Sequence, residues 1–485
     1  MKRRDFLKYS LYTTMLTGGS AALGLRATKA LAATAGTPFG RTLIHVMLLG
    51  GADLRYLFVP DPGSSPEYAT KFWDARSSIY QDNAANTTLY PNYNAVWSGL
   101  YAPTVDPVSG ARFGIHNNAA WLKGQFDAGN VAIVANVLGS DNRRHDHSQL
   151  IVHTGDVQAS QYVYDREGWG GRLAYAIGAA NAVSVTNDIS VYCNGIDPTN
   201  RNAKVVHAKD TRNFGFSPGD GDPGSDNSAM ARALKAYYAQ KRLEAETQPA
   251  NWPYRKFLQH EQAVRNFGDA FNARLADVAP LQPASLAALY TAGSGNTLNS
   301  TNFGQQCANV YDSFLGADLF ELRLMSMEYT GWDTHRLEKT NFESNIYDIF
   351  GTGRGLATLT DELELLGVGA NDDIVYVFNT DFGRQLRANG DYGTDHGRGN
   401  YMILVGRGVN GGVYGEMFPA SEIQGSAGST RFDQQGADIE GRTSFERVLA
   451  AACDWAEPGT GGQVFPNAAT SLVEPGVDLT SLFTG

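Results

Sequence analysis

Short apolar runs alternate with segments of helical periodicity at both ends of the chain. Four runs of strand length are Leu43 to Leu49, Val131 to Val137, Leu322 to Tyr329 and Ile374 to Phe378. Leucines at 356, 359, 363 and 366 recur every three or four residues, which predicts one buried face of a helix that ends at Gly367. This alternation is typical of the α/β class, and we predict a mostly parallel central sheet sandwiched by helices.

The middle of the chain has a different composition. Residues 200–226 are rich in Gly, Pro, Asp and Asn and predict a long loop, and a similar patch covers residues 291–306. Between them, Ala229 to Glu246 and Tyr254 to Val278 have helical patterns, and Thr443 to Trp455 predicts a late helix. We therefore expect one α/β domain over residues 33–485, with a helical and loop insertion at about 195–320.

The first residues predict an export signal. Lys2-Arg3-Arg4 precedes a moderately apolar stretch from Tyr9 to Leu25, and Ala30-Leu31-Ala32 resembles a cleavage site. The alternative, an amphipathic first helix, is disfavoured because glycines at 18, 19 and 24 weaken a helix. We predict a twin-arginine signal peptide over residues 1–32, the twin-arginine translocase as a partner, and a periplasmic or extracellular destination.

Charge and cysteine content exclude several classes of protein. The chain carries 39 basic and 50 acidic residues, and residues 1–32 hold six and one of these, so the remainder has 33 and 49, or −16. Such an acidic chain is unsuited to nucleic acid. No other stretch is long and apolar enough to predict a transmembrane segment in the mature chain. Three scattered cysteines predict neither a disulfide framework nor a thiolate zinc site.

Three acidic motifs follow predicted strands. They are Gly50-Gly51-Ala52-Asp53, Gly331-Trp332-Asp333-Thr334-His335 and Asn379-Thr380-Asp381-Phe382-Gly383-Arg384. Because the carboxyl ends of parallel strands share one edge of a sheet, we expect these motifs to converge there. Together with Gly393-Thr394-Asp395-His396-Gly397 they offer carboxylates and imidazoles for a divalent metal, whether Zn, Mn, Ca or Mg. Each residue alone is more typical of a turn or helix cap.

These motifs resemble, in the same order, those of a bacterial family of unknown function, domain-of-unknown-function family 1501. Gly168-Trp169-Gly170-Gly171-Arg172 and Gly408-Val409-Asn410-Gly411-Gly412 add to the resemblance, which covers most of the mature chain and is poorest at about 195–320. Members of that family usually carry twin-arginine signals, and the family is grouped with the alkaline phosphatase and sulfatase superfamily. The resemblance implies an alkaline phosphatase-like fold with metals at the strand ends.

The resemblance also implies roles for individual residues. The implied metal ligands are Asp53, Asp333, His335, Asp381, Asp395 and His396. Arg384 is implied as a bidentate clamp for an oxyanion, and the alternative for it is a salt bridge at a helix end. The chain departs from the family at Leu54, where Gly is usual, and at Asp381, where Glu is usual. At Phe382 the wider superfamily has His.

The nucleophile is not evident from the sequence. Superfamily enzymes place it in the region that corresponds to the loop from Ser140 to Ser148. His145 is our predicted catalytic residue there, because a run of ionisable side chains beside a strand end is costly to hide without a ligand. Ser148 and Ser140 are nucleophile candidates by proximity only, and a solvated charged loop is the alternative.

We therefore expect an exported metal-dependent hydrolase of phosphate or sulfate esters, acting on a small-molecule or glycan ester. The alternative is a non-catalytic cell-envelope protein that keeps the fold and binds a glycan or a partner. A redox enzyme is a third hypothesis. It is disfavoured because the sequence lacks a thiolate or histidine-rich pattern for copper. The enzymatic reading requires Asp53 to lie close to Asp333, Asp381 and His396.

Overall fold

The computed structural model describes residues 40–64, 66–81, 93–101, 111–157, 167–178, 181–195, 205–213, 229–249, 252–291, 302–367, 371–424 and 429–484. The predicted signal peptide at 1–32 lies outside these residues, as do most of the two predicted loops at 200–226 and 291–306. Within the described part of the chain, no helix is long and apolar enough to cross a bilayer. The three cysteines are buried free thiols.

A large mixed sheet forms the centre of the molecule. Its strands are β1 (Thr42–Leu49), β5 (Val131–Leu138), β6 (Asn181–Ser184), β7 (Val205–His207), β8 (Leu322–Thr330), β9 (Ile374–Thr380), β10 (Gly399–Val405), β11 (Gly412–Tyr414) and β12 (Thr443–Ser444). Their order is β11-β5-β10-β9-β1-β8-β6-β7, and β12 pairs with β5. Only β10 runs against the other strands of this sheet. The predicted α/β class with a mostly parallel sheet is confirmed.

The strands are buried on both faces, which explains their continuous apolar sequences. In β1, Ile44, Val46 and Leu48 belong to one hydrophobic cluster. Leu43 belongs to the cluster on the other face. β1 pairs in parallel with β8 on one side and with β9 on the other. The chain thus pairs β1 with strands that begin 280 and 332 residues later in the sequence.

Helices cover both faces of the sheet. They are α1 (Leu54–Leu57), α2 (Pro66–Arg76), α3 (Tyr93–Val96), α4 (Ala120–Asp127), α5 (His145–Thr154), α6 (Trp169–Ile177), α7 (Ala229–Glu246), α8 (Pro253–Val278), α9 (Ala284–Thr291), α10 (Phe303–Leu315), α11 (Ala317–Phe320), α12 (Glu338–Phe350), α13 (Gly355–Leu365), α14 (Phe445–Ala456) and α15 (Gly461–Val464). Side chains of α10, α12 and α13 enter the first cluster. Those of α5, α6 and α14 enter the second. The sheet is therefore sandwiched between two helical layers.

A second sheet extends the first layer. It consists of β2 (Phe58–Pro60), β3 (Trp97–Tyr101) and β4 (Phe113–His116) in the antiparallel order β2-β4-β3. Its aromatic residues join the core beside α2 and α12.

Candidate metal centre

The predicted convergence at one edge of the central sheet is present. Asp333 and His335 follow β8, and Asp381 is the first residue after β9. His145 begins α5, after the loop that leaves β5. Asp395 and His396 precede β10, and because β10 is antiparallel its first residue lies at the edge where the other strands end. Four segments of the chain thus deliver polar side chains to one place.

Three imidazoles and one carboxylate meet there, and we call them the histidine–aspartate cluster: His145, His335, His396 and Asp333. Nε2 of His396 lies 3.1 Å from Oδ1 of Asp333 and 2.8 Å from Nε2 of His335. Nε2 of His335 lies 3.2 Å from the same Oδ1, and Nε2 of His145 lies 3.5 Å from Oδ2 of Asp333. Ligand atoms of His145, Asp333 and His396 are all within 4.8 Å of one another.

The other ring nitrogen of each histidine has an acceptor. Nδ1 of His145 lies 2.6 Å from Asp381, and Nδ1 of His335 lies 3.1 Å from Asp395. Nδ1 of His396 lies 2.8 Å from the backbone carbonyl of Arg143. A carbonyl oxygen and an ionised carboxylate can only accept, so we assign the imidazole proton to Nδ1 in all three rings. Each Nε2 then carries a lone pair.

The three Nε2 atoms and the carboxylate of Asp333 are then all hydrogen-bond acceptors, and no member of the cluster can donate to another. Two lone pairs on nitrogens 2.8 Å apart repel each other, and the carboxylate of Asp333 adds negative charge beside them. Nε2 of His145 is buried and has no hydrogen-bond partner among the described residues. A cation between these atoms removes the conflict. Ligand atoms around a tetrahedral zinc ion are roughly 3.3 Å apart for bonds of about 2.0 Å. The four separations given above, 2.8 to 3.5 Å, lie near that value, and the set whose ligand atoms are all within 4.8 Å of one another is His145, Asp333 and His396.

The electrostatics of the cluster follow from these contacts. Burial would raise the pKa of Asp333, but the hydrogen bond from Arg384 and the adjacent imidazole of His396 lower it to about 2. Burial lowers the pKa of His396, which the Arg143 carbonyl and Asp333 only partly oppose. The hydrogen bond to Asp381 raises the pKa of His145 against burial. Asp333 is therefore ionised at neutral pH and provides the fixed negative charge.

Asp381 and Asp395 lie behind the imidazoles rather than in the cluster. Asp381 is fully buried and accepts from the backbone N–H of Gly50 at 3.2 Å and from Nε2 of Gln149 at 3.0 Å, besides His145. Asp395 also accepts from Asn389 at 3.1 Å. Carboxylates in this position fix the ring orientation and the tautomer of a metal-binding histidine. Of the six predicted ligands, three are thus in the cluster and these two support it.

Asp53, the remaining predicted ligand, lies elsewhere. Its buried carboxylate forms an ion pair with Arg76, and it caps α1 by accepting from the backbone N–H of Arg55. The buried Glu338 is its other neighbour: burial, and then Asp53, raise the pKa of Glu338 well above its usual value. Among the described residues Asp53 makes no hydrogen bond or ion pair with the histidine–aspartate cluster. The expected contact of Asp53 with Asp333, Asp381 and His396 is therefore not observed, and its loop reaches the site at Gly50, which donates to Asp381, and at Gly51, which accepts from Arg384. A metal at this edge of the sheet would be held by the histidine–aspartate cluster without Asp53.

Arg384 is buried beneath the cluster. Its Nε donates to Gly51 at 2.6 Å, its Nη1 donates to Thr394 at 3.0 Å, and its Nη2 faces the carbonyls of Gly50 and Trp332. Nη2 also lies 2.8 Å from Oδ1 of Asp333. The guanidinium group therefore ties three loops together and orients Asp333. Neither the oxyanion clamp nor the helix-end salt bridge describes these contacts.

Glycine is required where these loops meet. Gly50 and Gly51 have φ angles of +125° and +75°, a region that favours glycine. A Cβ on Gly50 would lie 2.4 Å from the backbone nitrogen of Asp333, and one on Gly51 would lie 2.5 Å from the ring of Phe382. That ring packs against His145 and His396, with centroid distances of 4.8 and 4.4 Å. Phe382 thus forms an apolar wall beside the cluster.

The candidate serines are hydrogen-bonded to each other, Ser140 in the turn before α5 and Ser148 in the first turns of α5. The hydroxyl of Ser148 donates to Ser140 at 3.1 Å, and the carbonyl and side-chain oxygens of Asn142 are within 3.4 Å. Both serines are fully buried. His145, which the sequence predicted as catalytic, is instead a member of the cluster. The signal that pointed to it, a run of ionisable residues beside a strand end, did not distinguish these two roles.

Comparison with known proteins adds a family. Residues 40–422 match the family described as "Protein of unknown function (DUF1501)". Among curated proteins, no sequence matches the chain.

Proposed function

The chain belongs to the DUF1501 family, and on this premise we propose that it is an exported metal-dependent hydrolase of phosphate or sulfate esters. One observation carries the proposal. Three Nε2 lone pairs and the carboxylate of Asp333 converge, and each imidazole is held from behind at Nδ1. Arg384 donates to Asp333, but the three Nε2 atoms have no donor among the described residues, and such an arrangement is unfavourable until a cation binds.

The donor set favours zinc or manganese. Calcium and magnesium prefer all-oxygen sites, whereas zinc and manganese accept imidazole together with carboxylate. A bound divalent cation would polarise an ester oxygen and lower the pKa of a water molecule beside it. The protein's part is to hold the ligands: Asp381 orients His145, and Asp395 orients His335. The side chain of Asp333 is 46% exposed, so the cluster is open to substrate on one side.

We propose water as the nucleophile. The hydroxyls of Ser140 and Ser148 are buried and hydrogen-bonded to each other where the turn meets α5. A serine nucleophile would need to break these bonds and turn towards the cluster. The ring of Phe382 limits the water beside His145 and His396, which strengthens electrostatic interactions with the ester.

We also propose an alkaline phosphatase-like fold and export by the twin-arginine pathway to the periplasm or beyond. A site at the carboxyl ends of a mostly parallel sheet with helices on both faces supports the fold. Lys2-Arg3-Arg4, the apolar stretch after it and Ala30-Leu31-Ala32 support the export.

Metal analysis and hydrolysis assays test the function. The purified protein is expected to contain about one zinc or manganese ion per chain and to hydrolyse 4-nitrophenyl phosphate or sulfate. His396→Ala and Asp333→Ala are expected to lose both properties. His207→Ala is the matched control, since His207 ends the edge strand β7, donates to the Thr186 carbonyl and is not a member of the histidine–aspartate cluster. Hydrolysis that survives in both cluster variants would refute the proposal.

The alternative is a non-catalytic envelope protein that keeps the fold and a structural ion. The hydrogen bonds of Ser148 to Ser140 and Asn142 favour this alternative, because they leave neither serine hydroxyl directed at the cluster. Metal that is present in stoichiometric amount, without hydrolysis of either ester, would select this alternative over the enzyme.

A further inference from the structure

An ester hydrolase needs a cation to hold the anionic part of its substrate, and Arg384 is committed elsewhere. Its side chain is fully buried, and its three nitrogens face four backbone carbonyls and Asp333. A substrate oxyanion could reach it only by displacing these contacts. A different set of cations must therefore be sought beside the histidine–aspartate cluster.

Three arginines lie around one buried carboxylate, and we call Arg143, Arg398 and Arg431 the arginine cluster. The carboxylate of Asp438 is 2% exposed and lies 2.9 Å from Arg143, 3.2 Å from Arg398 and 3.9 Å from Arg431. The three side chains are 38%, 50% and 26% exposed respectively. Asp438 thus anchors three guanidinium groups that still face solvent.

The arginine cluster is adjacent to the candidate metal centre. The carbonyl of Arg143 accepts the hydrogen bond from Nδ1 of His396, and Arg398 is two residues beyond His396 in the chain. Between them, a Cβ on Gly397 would lie 2.9 Å from the Cβ of Asp438. The two clusters are therefore joined by direct contacts at His396 and Gly397.

The donors of the arginine cluster are only partly used. Among the described residues, Arg143 donates through Nη2, to Asp438 and to the Gly436 carbonyl, and Arg398 donates through Nε and Nη2. Nε of Arg431 is buried and has no partner among the described residues. Glu440, 3.9 Å from Arg431, is half exposed, and together with Asp141 it also acts on Arg398. Within 4 Å, the three guanidinium groups therefore form ion pairs with two carboxylates, those of Asp438 and Glu440.

We propose that the arginine cluster binds an oxyanion on the body of the substrate, a saccharide that carries a sulfate, phosphate or carboxylate group besides the ester that is cleaved. The proposal rests on the function proposed above and names its substrate class. Guanidinium groups suit this role because their planar N–H pairs match the oxygens of all three anions. In an acidic chain of net charge −11, such a patch beside the metal centre selects anionic over neutral saccharides.

The test is direct binding, measured by isothermal titration calorimetry on the mature chain. The probes are a heparin-derived sulfated tetrasaccharide, a tetragalacturonate, a phosphorylated tetrasaccharide and neutral maltotetraose, with inorganic phosphate and sulfate as free anions. At least one anionic tetrasaccharide is expected to bind, and its affinity should fall as the salt concentration rises. Its affinity should also be higher than that of maltotetraose and of both free anions. The anion that binds tightest identifies the group.

Variants connect binding to the arginine cluster. Arg143→Gln/Arg398→Gln is expected to weaken binding of the best probe about tenfold or more, because both planar donor pairs are lost. Arg143→Lys/Arg398→Lys keeps the charge, and its affinity for the probe is expected to lie between those of the unmodified protein and the Gln variant. Arg407→Gln is the matched control. Arg407 is an exposed arginine that forms an ion pair with Asp372, and it follows the last residue of β10, at the opposite end of that strand from the arginine cluster. Thermal unfolding verifies that each variant is folded.

The outcomes separate this inference from the proposed function. Failure of all anionic saccharides to bind, equal affinity for inorganic phosphate, or equal losses in Arg407→Gln would overturn the inference and leave hydrolysis of aryl esters untouched. Binding that depends on the arginines, with neither metal nor hydrolysis, would refute the proposed function and leave a saccharide-binding site. Asp333→Ala is expected to keep the binding while losing hydrolysis.

Discussion

At the scale of single residues, the carboxylates behind the imidazoles are the decisive detail. Asp395 is half exposed and accepts from Nδ1 of His335. Its removal is expected to leave the fold intact but to free the ring of His335, so that Nε2 no longer points at the metal. Asp395→Ala should therefore lower the affinity for zinc by about 10- to 100-fold. Competition with a chromogenic chelator measures this change.

Asp391→Ala is the matched control, since Asp391 is an exposed aspartate in the same loop. It should bind zinc as the unmodified chain does. Equal affinity in Asp395→Ala and the control would mean that His335 is not a ligand, and the metal would then rest on His145, Asp333 and His396 alone.

The sequence predicted the residue types of this site better than their roles. Asp333, His335 and His396 were expected as ligands and lie together. A position of Asp381 at the metal and one behind His145 differ by only the width of an imidazole ring. The spacing of residues along the chain cannot distinguish these two positions. The pairing of Asp53 with Arg76 was equally hidden, because Arg76 belongs to an ordinary helix pattern and nothing in it marks a buried ion pair.

At the scale of elements, Arg384 connects the loops that follow β1, β8 and β9. Replacement by Lys keeps the charge but offers one nitrogen in place of three, and leaves buried carbonyls without donors. We expect Arg384→Lys to lower the free energy of unfolding by about 3 kcal/mol. The midpoint of urea unfolding measures the loss, and an unchanged midpoint would mean that these loops do not depend on the guanidinium group.

Helix α6 depends on glycine for its close packing. A Cβ on Gly171 would lie 1.9 Å from the backbone oxygen of Asn194, so Gly171→Ala forces the two segments apart. We expect a loss of about 2 to 4 kcal/mol in unfolding free energy. In α4, a Cβ on Gly124 would meet nothing within 4 Å, and Gly124→Ala should stabilise by about 0.5 to 1 kcal/mol. Opposite shifts in thermal unfolding are the expected result, and a destabilised Gly124→Ala would contradict it.

Elements with strong periodicity were predicted well. The helix predicted from Ala229 to Glu246 has those bounds in the structure, and the four predicted strands are present with ends that differ by at most two residues. The short strands β6, β7, β11 and β12 were not predicted. Runs of two to four residues carry too little periodicity, and they become strands only because a neighbour in the sheet offers hydrogen bonds.

At the scale of the whole molecule, the candidate metal centre connects parts of the chain that are distant in sequence. His145 follows β5, Asp333 follows β8 and His396 precedes β10, so a metal that binds all three closes long loops across the sheet. An ion that binds only the folded chain stabilises it by mass action, by about 2.7 kcal/mol at a free concentration of 100 times its dissociation constant. Removal of the metal by a chelator should lower the thermal midpoint, and added zinc or manganese should restore it. Asp333→Ala should unfold at the same temperature with and without metal, since its main charged ligand is lost. An identical midpoint for metal-free and metal-treated protein would show that the lone pairs at this edge of the sheet are neutralised by protons instead, and the hydrolase proposal would lose its basis.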